Sequence, residues 1–186
     1  MAHTEHDDKS FLIDLDRRMA ETRPEAGVIA SAFDPVNDRS SKLDAGLGLN
    51  LFHPRAVWVG GATSRVLLFG GWAGAARREV RAFDPVNETV TLLDAGLPSP
   101  RTWGAAVYAP NVKRVFYFGG NDNSFVDSST TFYREITSYD PVSQATALAG
   151  QLPSGRSRFF AVYWPQDQQV YLFGGAIGLD LSDDRV

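Results

Sequence analysis

The sequence predicts an all-β fold of repeated four-stranded antiparallel units, and three recurring stretches carry that prediction. The first is an apolar, aromatic-rich run stopped by a glycine pair: Arg65-Val-Leu-Leu-Phe-Gly-Gly71, Arg114-Val-Phe-Tyr-Phe-Gly-Gly120 and Gln169-Val-Tyr-Leu-Phe-Gly-Gly175. Such a run suits a packed strand, and paired glycines give the chain left-handed backbone geometry and close backbone approach where the strand ends. The second is an Asp-Pro-Val turn at Asp34, Asp84 and Asp140. There the Asp carboxylate accepts backbone N–H bonds, and Pro supplies the φ of a type I turn. The third is Leu-Pro-x-x-Arg, at Leu97–Arg101 and Leu152–Arg156, leading into small and aromatic residues.

In chain order, residues 1–26 form a polar arm outside the repeat, in which Ser10 can cap a short helix bearing Phe11, Leu12, Leu15 and Met19 on one face. Repeat material fills 27–186. Gly27 to Asp34 reads as a strand, and short strands follow the three Asp-Pro turns at Ser40–Leu43, Thr89–Leu93 and Ala145–Leu148. Asn37 and Asn87, fourth in their turns, are expected to take the left-handed conformation that completes a bulged hairpin. Arg55 to Trp58, Gly104 to Tyr108 and Phe159 to Tyr163 are the strands that open each unit, and the glycine-terminated strands follow them.

Four strands at a period near 50 residues are the signature of a propeller blade. The glycine pairs, the aromatic-Asp-Pro turns (Phe33, Phe83 and Tyr139 before the Asp) and the Leu-Pro-x-x-Arg entries together resemble kelch repeats over about residues 27–175. Kelch blades usually place a Trp six residues after the Asp. Here that position holds Ser40, Val90 and Thr146; prokaryotic-type kelch repeats often carry an apolar or β-branched residue there. The resemblance implies a kelch-type β-propeller with blades at 55–97 and 101–152. Half blades at 27–47 and 156–175 bring the total to about three blade equivalents. Propellers typically close with 4–8 blades. Three accounts follow: a partial propeller within a longer chain, a homodimer completing a six-bladed ring, or a small monomer. The tail Asp183–Val186 reads like the start of a further third strand.

Composition narrows the function classes. Among 186 residues, 22 acidic against 18 basic give a net charge of −4, too mild to point to nucleic acid or a membrane surface. No Cys is present, which excludes disulfides, thiolate metal sites and cysteine nucleophiles. No run approaches the ~18 apolar residues of a membrane span, and the polar start lacks a secretory signal, so a cytoplasmic location is expected.

Catalytic signatures are thin, and no catalytic residue, metal site or cofactor is expected. The glycine pairs are not followed by the Lys-Ser/Thr of a phosphate loop. Of three histidines, His3 and His6 lie in the arm, and His53 reads as a surface or packing residue. Arg55, Arg101 and Arg156 start the opening strands. They either line a channel mouth, where they would meet acidic peptides or sugar acids, or brace adjacent blades; recurrence favours bracing. Trp72 and Trp103 lie where loops emerge and could stack on carbohydrate. The longest loop carries Asn121, Asp122, Asn123 and Asp127, whose spacing fails the Ca²⁺ loop motif and suits a partner-contacting polar loop. Asn87-Glu-Thr89 is a glycosylation sequon. The kelch resemblance implies a binding or scaffold module for a protein or peptide partner before it implies an enzyme. The alternative is a carbohydrate-active propeller of the sialic-acid mutarotase type. A galactose-oxidase-like copper site is excluded by the lack of Cys.

Overall fold

A computed structural model describes residues 31–43, 49–61, 64–123 and 125–177. The candidate arm helix, residues 27–30 of the first expected strand and the tail at 183–186 lie outside the described residues. The chain divides into two compact units, residues 1–50 and 51–186.

Among the described residues, the first unit contains one hairpin, β1 (Ser31–Asp34) paired antiparallel with β2 (Arg39–Lys42). The second unit opens with a four-stranded antiparallel sheet of β3 (Arg55–Val59), β4 (Arg65–Phe69), β5 (Glu79–Asp84) and β6 (Thr89–Gly96). A second such sheet follows with β7 (Ala105–Ala109), β8 (Arg114–Phe118), β9 (Glu135–Tyr139) and β10 (Thr146–Gln151). The last described element is a two-stranded sheet of β11 (Phe160–Trp164) and β12 (Gln169–Phe173). The all-β, four-stranded antiparallel architecture read from the sequence is present. No helix among the described residues is long and apolar enough to cross a membrane.

Two details differ from the sequence reading. Strands β6 and β10 run further than expected, to Gly96 and Gln151, because a register shift in each ladder lets pairing with β5 and β9 continue. The left-handed residues after the Asp-Pro turns are Asp38, Glu88 and Gln144, one position later than Asn37 and Asn87. Asn37 and Asn87 are held otherwise: their side-chain amides donate to Asp34 and Asp84 at 2.7 Å.

The turn aspartates perform the same task three times. Asp34, Asp84 and Asp140 each accept the amide two residues on, Val36, Val86 and Val142, at 2.8–2.9 Å. For Asp34 and Asp84 the amide of Asn37 or Asn87 is the first cause of a lowered carboxyl pKa, with the backbone donors next; for Asp140 the backbone donors lead. A carboxylate stabilised in the fold contributes fully above its unfolded value of about 3.9 and is lost as pH falls through the lower folded value. The melting temperature is therefore expected to fall below about pH 4. Asp84→Asn should flatten that fall measurably; an unchanged acid profile would remove the turn from the acid response.

The sheets of the second unit stack in sequence, with β3 beside β7 and β7 beside β11. Val59, Leu67 and Phe69 of the first sheet form one core cluster with Val115, Tyr117 and Tyr139 of the second. Ala105, Val107 and Phe118 of the second form another, with Ala161, Tyr163 and Leu172 of the third packed against it.

The glycine pairs lock each sheet to the next. Gly71 N–H donates to the Arg101 carbonyl at 2.9 Å, and Gly120 N–H donates to the Arg156 carbonyl at 2.8 Å. Arg101 N–H returns to the Arg77 carbonyl and Arg156 N–H to that of Tyr133. Gly119 has a φ of 52°, and a Cβ there would sit 2.5 Å from the Arg156 carbonyl oxygen; one on Gly70 would meet the Arg101 carbonyl as closely. The glycines are thus required by both backbone conformation and backbone approach.

Candidate functional site

The entries to the opening strands carry the densest chemistry. Before each such strand a residue forms an isolated bridge beyond the glycine pair: Phe52 with Trp72, Thr102 with Asn121, and Ser157 with Ala176. The residue after it is left-handed in every case: His53 (φ 54°), Trp103 (57°) and Arg158 (58°). Three non-glycine residues held in that conformation at equivalent places store local strain, which the surrounding hydrogen bonds maintain.

The three side chains come together. The His53 and Trp103 rings stack with centroids 3.6 Å apart and planes at 24°. The Arg158 guanidinium lies 5.0 Å from the Trp103 ring centroid, and that of Arg55 lies 5.9 Å from it. Arg158 N–H donates to the Trp103 carbonyl at 2.8 Å. Arg55 Nε donates to the Gly104 carbonyl, and burial lowers the Arg55 pKa. Trp103 Nε1 and Arg158 Nε are buried donors without a protein acceptor. Neither Arg55 nor Arg158 has a carboxylate partner among the described residues. The result is a column of one imidazole, one indole and two guanidiniums, with donor capacity to spare.

Sequence reasoning found Arg55 and Trp103 but did not join them to His53 and Arg158. It also placed Arg55 in one series with Arg101 and Arg156, which the register corrects. Arg101 and Arg156 share their position with Leu51, one residue before the bridging Phe52, whereas Arg55 is equivalent to Ala105 and Phe160 at the first strand position. A signal was available: Arg55 lies closer to its glycine pair than Arg101 and Arg156 lie to theirs.

Arg101 faces inward and is 2 % exposed. Its guanidinium meets Glu135 Oε2 at 3.3 Å, donates to Ser99 Oγ at 3.0 Å, and lies 4.1 Å from the Tyr133 ring centroid. Arg156 serves the sheet-to-sheet lock through its backbone, with a half-buried side chain. Beneath these groups Tyr117 is buried; burial pushes its phenol up to about 12 against the opposing charges of Arg55 and Arg101, so it stays neutral.

Trp72 is half-buried, its backbone exchanging hydrogen bonds with Phe52 at 2.7 and 2.8 Å. Trp103 stands in the column, where the His53 ring stacks on it and the Arg158 guanidinium lies 5.0 Å from its centroid. Asn121 is fully buried, and its side-chain amide, like the hydroxyls of Thr102 and Ser157, has no protein partner. The rest of the long loop is turned on itself. Asp122 Oδ1 accepts Thr131 N–H at 2.8 Å, Asn123 Oδ1 accepts Phe125 N–H at 3.1 Å, and Asp127 Oδ1 accepts the Ser129 amide and hydroxyl. Among the described residues no group of His, Asp and Glu is placed to hold a metal ion.

Neither the protein-family models nor the curated proteins contain a match to this chain.

Proposed function

We propose that this chain is a kelch-type β-propeller segment serving as a binding module, and that it recognises an acidic segment of a protein or peptide partner at the strand-entry column. The observation that supports this reading is the pair of guanidiniums beside the Trp103 ring, those of Arg158 and Arg55, which no carboxylate among the described residues engages. Planar guanidiniums match carboxylates in geometry, and charge-assisted bonds to them are stronger than neutral ones. The long loop supports the same use, because its internal hydrogen bonds present a shaped polar surface.

A fluorescein-labelled oligoglutamate peptide provides the test, by anisotropy titration against an oligoglutamine peptide of equal length. The glutamate peptide should bind the chain and the glutamine peptide should not. Arg158→Gln should weaken binding at least about tenfold, the size of one lost charge-assisted hydrogen bond. Equal binding of both peptides would sink the proposal. Sialic acid as a competitor addresses the carbohydrate-active reading, since a sugar acid presents the same carboxylate: displacement of the peptide would favour a sugar-acid ligand at this site.

A further inference from the structure

The second unit repeats one packing arrangement and leaves it unfinished at both ends. In the first sheet Val57, Leu67 and Phe69 face forward into the second sheet's Ala106, Tyr108 and Tyr117. In the second sheet the equivalent Val107, Phe116 and Phe118 face forward into Ala161, Tyr163 and Leu172. The equivalent forward residues of the third sheet are Val162, Tyr171 and Phe173, flanked by Phe160 and Trp164. All five are exposed, Phe160 at 77 %. A contiguous aromatic face of this kind is the mark of an interaction surface.

The backbone lock is open at the same place. Gly70 and Gly119 each cradle a carbonyl from the following sheet, of Arg101 and Arg156. Gly174, with the same left-handed φ (70°), has nothing within 4 Å of where a Cβ would stand. The chain also carries the matching other half. Ala56, Trp58 and Leu68 occupy on the first sheet the rearward places that Ala106, Tyr108 and Tyr117 hold on the second; Ala56 and Trp58 are exposed, Trp58 at 52 %, and Leu68 beside them is buried. Leu51 holds the register position of Arg101 and Arg156.

We infer that the open face of β11–β12 receives the rearward face of β3–β4 from a second copy of this chain, head to tail, with the Leu51 carbonyl of one copy over Gly174 of the other. The occupant is defined by the two interfaces already inside the chain: the same forward aromatic face, the same rearward face and the same glycine cradle. The contact is heterologous, so two copies that each give and receive it close a two-fold ring, and copies that fail to close would form longer assemblies. The inference does not depend on what the strand-entry column binds.

Sedimentation velocity over a concentration series tests it. The chain should sediment at twice the monomer mass or more. Phe160→Lys and Trp58→Lys change exposed side chains on opposite faces, so each should leave a folded chain, by circular dichroism, whose self-association is weaker by roughly thirtyfold, the scale of an interface hot spot. Mixing the two variants must then restore a dimer, because one copy retains the forward face and the other the rearward face. A monomer at every concentration would overturn the inference and leave the face to some other occupant. So would a dimer indifferent to both changes, or a mixture that stays monomeric.

Discussion

Gly119→Ala is expected to lower the unfolding free energy by about 3 kcal/mol or more, while Gly174→Ala costs about 1–2 kcal/mol. Both glycines are left-handed, at 52° and 70°, so the intrinsic penalty of adding a Cβ is similar. They differ in what the new methyl would meet. At Gly119 it runs into the Arg156 carbonyl oxygen at 2.5 Å and approaches the Tyr133 carbonyl at 3.1 Å and Leu152 Cδ1 at 3.3 Å. Two of those atoms are backbone, fixed by the bonds from Gly120 to Arg156 and from Arg156 to Tyr133, so relief requires the second and third sheets to part. At Gly174 the methyl enters open space. Urea midpoints measured in the Phe160→Lys background, where self-association does not mask the comparison, separate the two contributions. Equal losses at both positions would mean that the cost is conformational alone and that the carbonyl cradle does not hold the sheets together.

That contrast also explains why so much of the fold was legible beforehand. A glycine pair after an aromatic strand is demanded by local backbone geometry and by a neighbouring carbonyl, so it recurs wherever the arrangement recurs. The Asp-Pro turns are legible for the same reason, since the carboxylate of Asp84 and the amides it accepts lie within three residues. The left-handed residue in those turns stands one position later than the turn motif predicts. Asn37 and Asn87 are common in that conformation, but here their side chains are drawn to the aspartate, and the following residue turns instead.

The candidate site was far less legible, because its residues share a structural position and not a residue type. His53, Trp103 and Arg158 are equivalent by φ and by the preceding bridge, yet an imidazole, an indole and a guanidinium have no common letter to align. The arginines do share a letter, and recurrence is what a structural brace produces. At His53, Trp103 and Arg158 the repeat sets the backbone and leaves the side chain free to vary, so no recurring letter marks the place.

The brace itself yields the second large effect. Arg101→Ala should destabilise the chain by about 3 kcal/mol, at the lower end for breaking a buried ion pair. The guanidinium is buried between Glu135, Ser99 and the Tyr133 ring, and its removal leaves the carboxylate without its cation and the aromatic face without its contact. Glu135 keeps roughly a third of its side chain in water, which solvates part of the stranded charge and holds the loss below the most severe cases. Arg101→Lys should recover only part of it, because an ammonium cannot both reach the carboxylate and spread over the ring as the planar fork does. Arg156→Ala, at the equivalent position but with its backbone carrying the lock, should cost less than about 1 kcal/mol. Chemical denaturation of the three variants decides the matter. A loss at Arg156 matching that at Arg101 would show a common side-chain function. A stable Arg101→Ala chain that fails only in binding the acidic peptide would move Arg101 from the interior brace to the recognition surface.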